Sequence, residues 1–173
     1  MAGYSIDAFE KEIAILYPRL NRALSAYLAG SGIDPEDILQ ETFLKACRSL
    51  DRFKGEAGLY TWLFSIGRNI CIDEFRKTKT KKNVNLLPFE DFQLASDLYS
   101  SDSEREEVLL LRKAIAQLPE KFREVIVLKA IDEMNYSEIS EITGINEQTL
   151  KSRMFKARKL LAVSLKKMGV NNP

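Results

Sequence analysis

Residues 136–158 read YSEISEITGINEQTLKSRMFKAR. The spacing predicts a helix, a three-residue turn and a second helix with a basic face. Ile139, Ile142 and Ile145 can close inward, with Leu150 and Met154 behind them. Gly144 falls where a helix C-terminus often needs positive φ, which costs glycine little. Asn146 can cap the second helix by accepting from the N–H of Gln148 or Thr149. Residues 147–168 hold seven Lys or Arg and one acidic residue. That is the charge layout of a recognition helix lying in a phosphate-lined groove. Two helices around a glycine turn also occur in all-helical cores, so the rest of the chain decides.

The chain has 173 residues, 45% of them hydrophobic, enough for one or two small cored domains. Net charge is only +1, but the charge is segregated. Residues 68–82 carry six basic and two acidic side chains, and residues 90–107 carry seven acidic and one basic. Local patches, rather than the whole surface, are expected to meet a polyanion. There is no histidine and only two cysteines, Cys47 and Cys71. Neither the number nor the spacing of a zinc motif exists, and no cofactor or metal site is expected. Both cysteines fall on apolar helical patterns and are expected as buried, reduced thiols. No signal peptide and no apolar run of membrane-span length is visible, so a soluble cytoplasmic protein is expected.

Helical periodicity recurs along the whole chain and no strand alternation competes, so the expected class is all-α. A first helix is expected over residues 6–29, with Phe9, Ile13, Leu16, Leu20 and Leu24 inward and Pro18 kinking or splitting it. Asp34-Pro35-Glu36-Asp37 is a strong helix start, with Asp34 as cap and Pro35 as first helical residue. That helix should run to about residue 50 and turn Leu39, Phe43, Ala46 and Leu50 inward. After a loop with two glycines, a third helix is expected over residues 59–77, carrying Trp62, Ile66, Ile70 and Phe75. Residues 78–103 break the pattern and read as a flexible linker. Four more helices are expected, at about 104–117, 119–131, 136–143 and 147–167, with Pro119 in a first helical turn. The expectation is therefore two small helical domains, 1–77 and 104–173, joined by the linker, the C-terminal one a helix-turn-helix.

Two stretches, DPEDILQETFLKACRSLDRFKGEAGLYTWLFSIGRNICIDEFRK and LPEKFREVIVLKAIDEMNYSEISEITGINEQTLKSRMFKARKLL, resemble the sigma factors of bacterial RNA polymerase, of the compact extracytoplasmic-function type. The N-terminal stretch is similar to the sigma-two domain, which binds the β′ clamp and the −10 promoter element. The C-terminal stretch is similar to the sigma-four domain, which binds the −35 element and the β flap. The resemblance implies core RNA polymerase and promoter DNA as partners, an anti-sigma factor of unknown identity, and no catalytic residues. It covers nearly all of the chain except the linker and the two ends.

Residue by residue, Asp37, Gln40 and Glu41 match the face that meets the clamp; their i, i+3, i+4 spacing puts them on one side of a helix. Phe53, Lys54, Gly58, Leu59 and Asn69 match a pocket for a flipped −10 base, which needs an aromatic or apolar wall and a polar edge reader. Phe53 is equally readable as a packed ring under a glycine turn. Trp62 matches one member of a tryptophan pair that helps open promoters. Its neighbour is Leu63, so the pair is incomplete and Trp62 is at least partly a core residue. Lys151, Ser152, Phe155 and Lys156 match positions that touch −35 bases, while Arg153 and Arg158 are similar to phosphate anchors. Phe155 is equally readable as a core residue one turn beyond Leu150.

Promoter elements some twenty base pairs apart lie about 70 Å from each other at 3.4 Å per pair. A linker of about 26 residues reaches on the order of 80–90 Å when fully extended, but as a free coil its ends lie only about 25–30 Å apart. A scaffold is needed to hold it open, which favours a polymerase subunit over a polymerase-independent helix-turn-helix regulator, the chief alternative. An enzyme is disfavoured by the lack of histidine and of a phosphate loop. A helical protein–protein adaptor is the third alternative.

Overall fold

A computed structural model of the chain describes residues 6–53, 55, 58–80 and 102–170. Among them all regular structure is helical: α1 (Ile6–Tyr27), α2 (Pro35–Arg48), α3 (Leu59–Thr80), α4 (Asp102–Ala116), α5 (Glu120–Ile126), α6 (Tyr136–Thr143) and α7 (Glu147–Lys167). A 3-10 turn, Leu50–Arg52, comes after α2, and a π turn, Val127–Ile131, prolongs α5. The all-α class and the C-terminal helix-turn-helix are as the sequence leads one to expect. Helices α3 and α4 claim residues 78–80 and 102–103 from the expected linker, and the remainder of that expectation, residues 81–101, lies outside the described residues.

Local chemistry explains the helix starts. Asp34 Oδ1 accepts the Glu36 N–H at 2.9 Å and Pro35 opens α2, with Glu36 and Asp37 in the first turn and Lys45 and Arg48 in the last. Pro18 does not split α1, which runs through it. Both Pro18 and Ala14, whose carbonyl loses its helical donor, are exposed, so water can satisfy that carbonyl. Pro119 sits one position earlier than expected, as the extended cap of α5 (φ −54°, ψ 141°), its carbonyl accepting the N–H groups of Phe122 and Arg123 at 2.8 and 3.0 Å.

Helices α1, α2 and α3 pack around Leu20, Leu24, Leu39, Leu63 and Phe64. They crowd together at Gly67, where an added Cβ would lie 3.0 Å from both Leu24 Cδ1 and Thr42 Oγ1. Thr42 is itself fully buried, its hydroxyl donating to the Ile38 carbonyl at 2.6 Å. Leu63, Phe64 and Cys71 are buried more deeply than the expected inward residues Trp62 and Ile66, because α3 is covered on more than one side. Cys71 is buried as expected, and burial pushes its thiol up to about 12. Cys47 is exposed, contrary to expectation: α2 turns Thr42 and Ala46 inward, and Cys47 falls outside that stripe.

Helices α4 to α7 form the other packed unit, with α7 lying on α4, α5 and α6. The two units are not separate bodies. Helix α1 packs on the π turn and on α4, α3 packs on α6, and one continuous apolar core runs from Phe9 to Ala157. Three arginines tie the units together. Arg19 Nε lies 2.8 Å from Asp132 Oδ1, and Arg68 Nε lies 2.5 Å from Glu124 Oε1. Arg123 donates to the carbonyls of Tyr27 and Ala29 on one side, and of Ala116 and Leu118 on the other. A single guanidinium thus bridges the C-terminal ends of α1 and α4, where the helix dipoles favour a cation.

Candidate nucleic-acid interface

The helix-turn-helix is set by its caps. Asn135 and Glu138 form a reciprocal capping box at the start of α6: Asn135 Oδ1 accepts the Glu138 N–H at 2.9 Å, and Glu138 Oε2 accepts the Asn135 N–H at 2.7 Å. Gly144 ends α6 in the left-handed region at φ 70°. Asn146 Oδ1 accepts the Thr149 N–H at 2.8 Å and starts α7, one of the two partners expected of it.

Helix α7 buries Leu150, Met154 and Ala157, a spacing of four and three that fixes its rotation. Lys151, Ser152, Phe155, Lys156 and Arg158 are all exposed, and Arg153 is half-buried. Phe155 is 62% exposed, so it is no core residue. Its ring lies 4.4 Å from Lys159 Nζ, which adds Lys159 to the basic face. The Tyr136 ring stands between Lys129 and Lys151, at 5.4 and 5.6 Å from their ammonium groups, and Lys151 also approaches Glu147 at 3.5 Å. Tyr136 and Lys129 belong to no sequence pattern that singles them out, since only folding brings them beside Lys151.

In the N-terminal unit, Asp37 and Gln40 are exposed on α2, opposite the buried Ile38 and Leu39. Glu41 is half-buried and pairs with Lys45 at 2.8 Å. Leu44 continues the same strip at 57% exposure, an apolar residue that sequence periodicity alone assigns to neither face.

Phe53 packs against Trp62, ring centroids 4.9 Å apart and tilted by 35°, and both are half-buried. Asn69 is exposed on α3 seven residues beyond Trp62, two turns along the same face. Gly58 is exposed, whereas Leu59 is only 8% exposed and belongs to the core; helix α3 starts there and turns it inward. Lys54 lies outside the described residues. The structure therefore groups Phe53 with Trp62 and aligns Asn69 with them, while Leu59 packs into the core.

These features define an all-helical protein with a DNA-type recognition helix and a separate polar helix face in its other half. Residues 13–81 match the family description Sigma-70 region 2, and residues 108–161 match Sigma-70, region 4. The chain is 31% identical over 169 residues to the ECF RNA polymerase sigma factor SigW of Bacillus subtilis (strain 168), covering 92% of this chain and 90% of that one. It is 30% identical over 138 residues to the ECF RNA polymerase sigma-E factor of Escherichia coli (strain K12), covering 74% and 72%. Among solved structures, the sigma factor RpoE in complex with the anti-sigma factor NepR from Bartonella quintana superposes with a TM-score of 0.76 at 27% identity, over 93% of this chain and 98% of that one. CnrH in complex with the cytosolic domain of CnrY gives 0.69 at 26% identity, over 94% and 90%. The chain belongs to the ECF class of RNA polymerase sigma factors. It is a transcription initiation factor that directs RNA polymerase to specific promoters. Among the described residues no helix is long and apolar enough to cross a membrane.

Proposed function

We propose that α7 reads the −35 element, that the Phe53–Trp62–Asn69 face reads and helps open the −10 element, and that the outer strip of α2 docks on the β′ clamp. The observation that carries this reading is the division of α7. Leu150, Met154, Ala157 and Leu165 lock its inner face while Lys151, Ser152, Phe155, Lys156 and Arg158 are exposed. Lys can donate to guanine acceptors and Phe can meet a thymine methyl, while Arg153 and Arg158 hold phosphates. On α3, the tilted Phe53–Trp62 pair offers an aromatic wall and Asn69 an edge reader for an unstacked base. The C-terminal unit would also meet the β flap. An anti-sigma factor is a further partner, by analogy with the relatives solved in such complexes. The chain would act in the cytoplasm and carry no catalysis of its own.

Reconstituted transcription with core polymerase on a promoter library, with permanganate footprinting of the −10 strand, tests the reading. Selection of a −35 and −10 pair by the wild-type chain is expected. Asn69→Ala should reduce −10 opening and −10 preference while sparing −35 selection. Full opening with unaltered −10 preference in that variant would remove Asn69 from the pocket.

A further inference from the structure

Two groups compete for the ammonium of Lys151, a side chain that is 55% exposed on α7. Glu147, one turn back on the same helix, approaches it at 3.5 Å, longer than the about 2.7–2.9 Å of a well-made charge-assisted bond. The Tyr136 ring, on the other helix of the helix-turn-helix, lies 5.6 Å from the same ammonium, within the about 6 Å reach of a cation–π contact. Without the ring, Lys151 would be left to Glu147. Its charge would then be answered along its own helix instead of being offered to a base.

The ring is held in place by its surroundings. Tyr136 is the first residue of α6, directly after the cap, and the reciprocal Asn135–Glu138 capping box fixes its backbone. Its side chain is half-buried, packs against the apolar core and has only two torsions to order. Lys129 bears on the ring as well, with Nζ 5.4 Å from its centre and donating to the Met134 carbonyl at 2.9 Å. That bond ties Lys129 across the turn leading into α6. Lys151, by contrast, is a point charge on a long flexible stem, and fixing such a stem costs conformational entropy. A rigid ring beside it removes part of that cost before DNA arrives, which is how preorganisation favours one bound geometry.

We propose that Tyr136 is a positioning residue for −35 recognition. Its ring, steadied by Lys129, draws Lys151 away from Glu147 and aims it at a base edge. Sequence preference at one −35 position then depends on a residue of the first helix of the motif, which need not touch a base itself. The inference rests on the proposed base contact of Lys151. A phenol hydroxyl that simply held a phosphate would instead strengthen binding to all sequences alike.

The test uses holoenzyme formed with the full chain, its affinity measured across single-base −35 variants. Beside it, carbon-resolved spectra of the lysine ε-methylene groups are recorded on the free chain, where the ring current of Tyr136 should move the Lys151 signal upfield. Tyr136→Phe keeps the ring and should keep both the displaced signal and the preference profile. Tyr136→Leu keeps apolar bulk and should lose both, discrimination at the Lys151 position falling about two- to fivefold. In a Lys151→Ala background, Tyr136→Leu should cost no further discrimination. Glu147→Gln, an exposed change that leaves the core alone, should move the Lys151 signal further upfield by removing the competitor. Unaltered discrimination in Tyr136→Leu, uniform weakening of all sequences by Tyr136→Phe, or a Lys151 signal indifferent to Glu147→Gln overturns the positioning role. If Lys151→Ala leaves discrimination unchanged, the base contact fails and the positioning role falls with it. If Lys151→Ala reduces discrimination and Tyr136→Leu does not, the positioning role alone is wrong.

Discussion

The guanidinium of Arg19 holds Asp132 twice, Nε on Oδ1 at 2.8 Å and Nη2 on the backbone carbonyl at 2.9 Å, across 113 positions of sequence. It also stacks 3.9 Å over the Tyr60 ring. Burial pushes the Asp132 carboxyl above the usual carboxylate range while Arg19 pulls it down. Asp132 is aimed there by the π turn, whose last bond runs from the Asp132 N–H to the Val127 carbonyl at 2.9 Å. One extra residue in that turn rotates the next residues by about 100° relative to a plain helix. Glu133 then takes a left-handed φ of 59°, uncommon for a residue with a side chain, and turns the chain into the Asn135 cap.

Gly67→Ala should destabilise the chain by about 1–3 kcal/mol, the usual cost of overpacking a tight contact. The added methyl would meet Leu24 and Thr42 at 3.0 Å, and Thr42 is tied to the Ile38 carbonyl. Chemical denaturation of both proteins measures it. An unchanged midpoint and slope would show that the three helices separate there at little cost.

Thiol titration should find one fast group. Cys47 is exposed and should react readily at neutral pH, whereas Cys71 is buried with its thiol raised to about 12. Below that value Cys71 stays a neutral thiol and should be modified only on unfolding. Two equally fast thiols in folded protein would contradict the burial of Cys71.

Gln40→Ala with Glu41→Ala should weaken core polymerase binding by about 1–3 kcal/mol if the strip is a docking surface. Stability should change little, since Gln40 is exposed and the Glu41–Lys45 pair is a surface one. Leu44→Ser on the same strip should add to the loss. Pull-down with core enzyme beside a thermal melt decides it, and undiminished binding would move the docking surface elsewhere.

Lys156→Ala should relax −35 preference at one position and cost about 1–3 kcal/mol on the preferred sequence. Arg158→Ala should weaken all sequences alike and lower the salt slope by about one unit. The two side chains point about 200° apart around α7. Holoenzyme affinity across single-base variants at several salt concentrations separates them. The opposite pattern would exchange their roles.

The helix-turn-helix is legible in the sequence because its signals are local: an apolar stripe, Gly144, Asn146 and a run of bases within some twenty residues. The α2 start at Asp34-Pro35 is legible for the same reason. Phe155 is ambiguous in sequence, since its distance from Leu150 fits either face, and only the rotation set by Leu150, Met154 and Ala157 turns it out. The burial of Leu59 is not legible either, because a loop motif ends where a helix begins and the helix face decides its burial. The Arg19–Asp132 and Arg68–Glu124 pairs are invisible in sequence, since no periodicity links residues 113 or 56 positions apart.

Arg123 gathers four backbone carbonyls, from Tyr27, Ala29, Ala116 and Leu118, on two guanidinium nitrogens. No other residue type carries that many donors in one planar group. Lysine at this position would keep the charge but reach fewer of the four acceptors, so the exchange that looks most conservative on paper would still leave helix-end carbonyls without a donor. The joint between the ends of α1 and α4 therefore depends on the shape of one side chain more than on its charge.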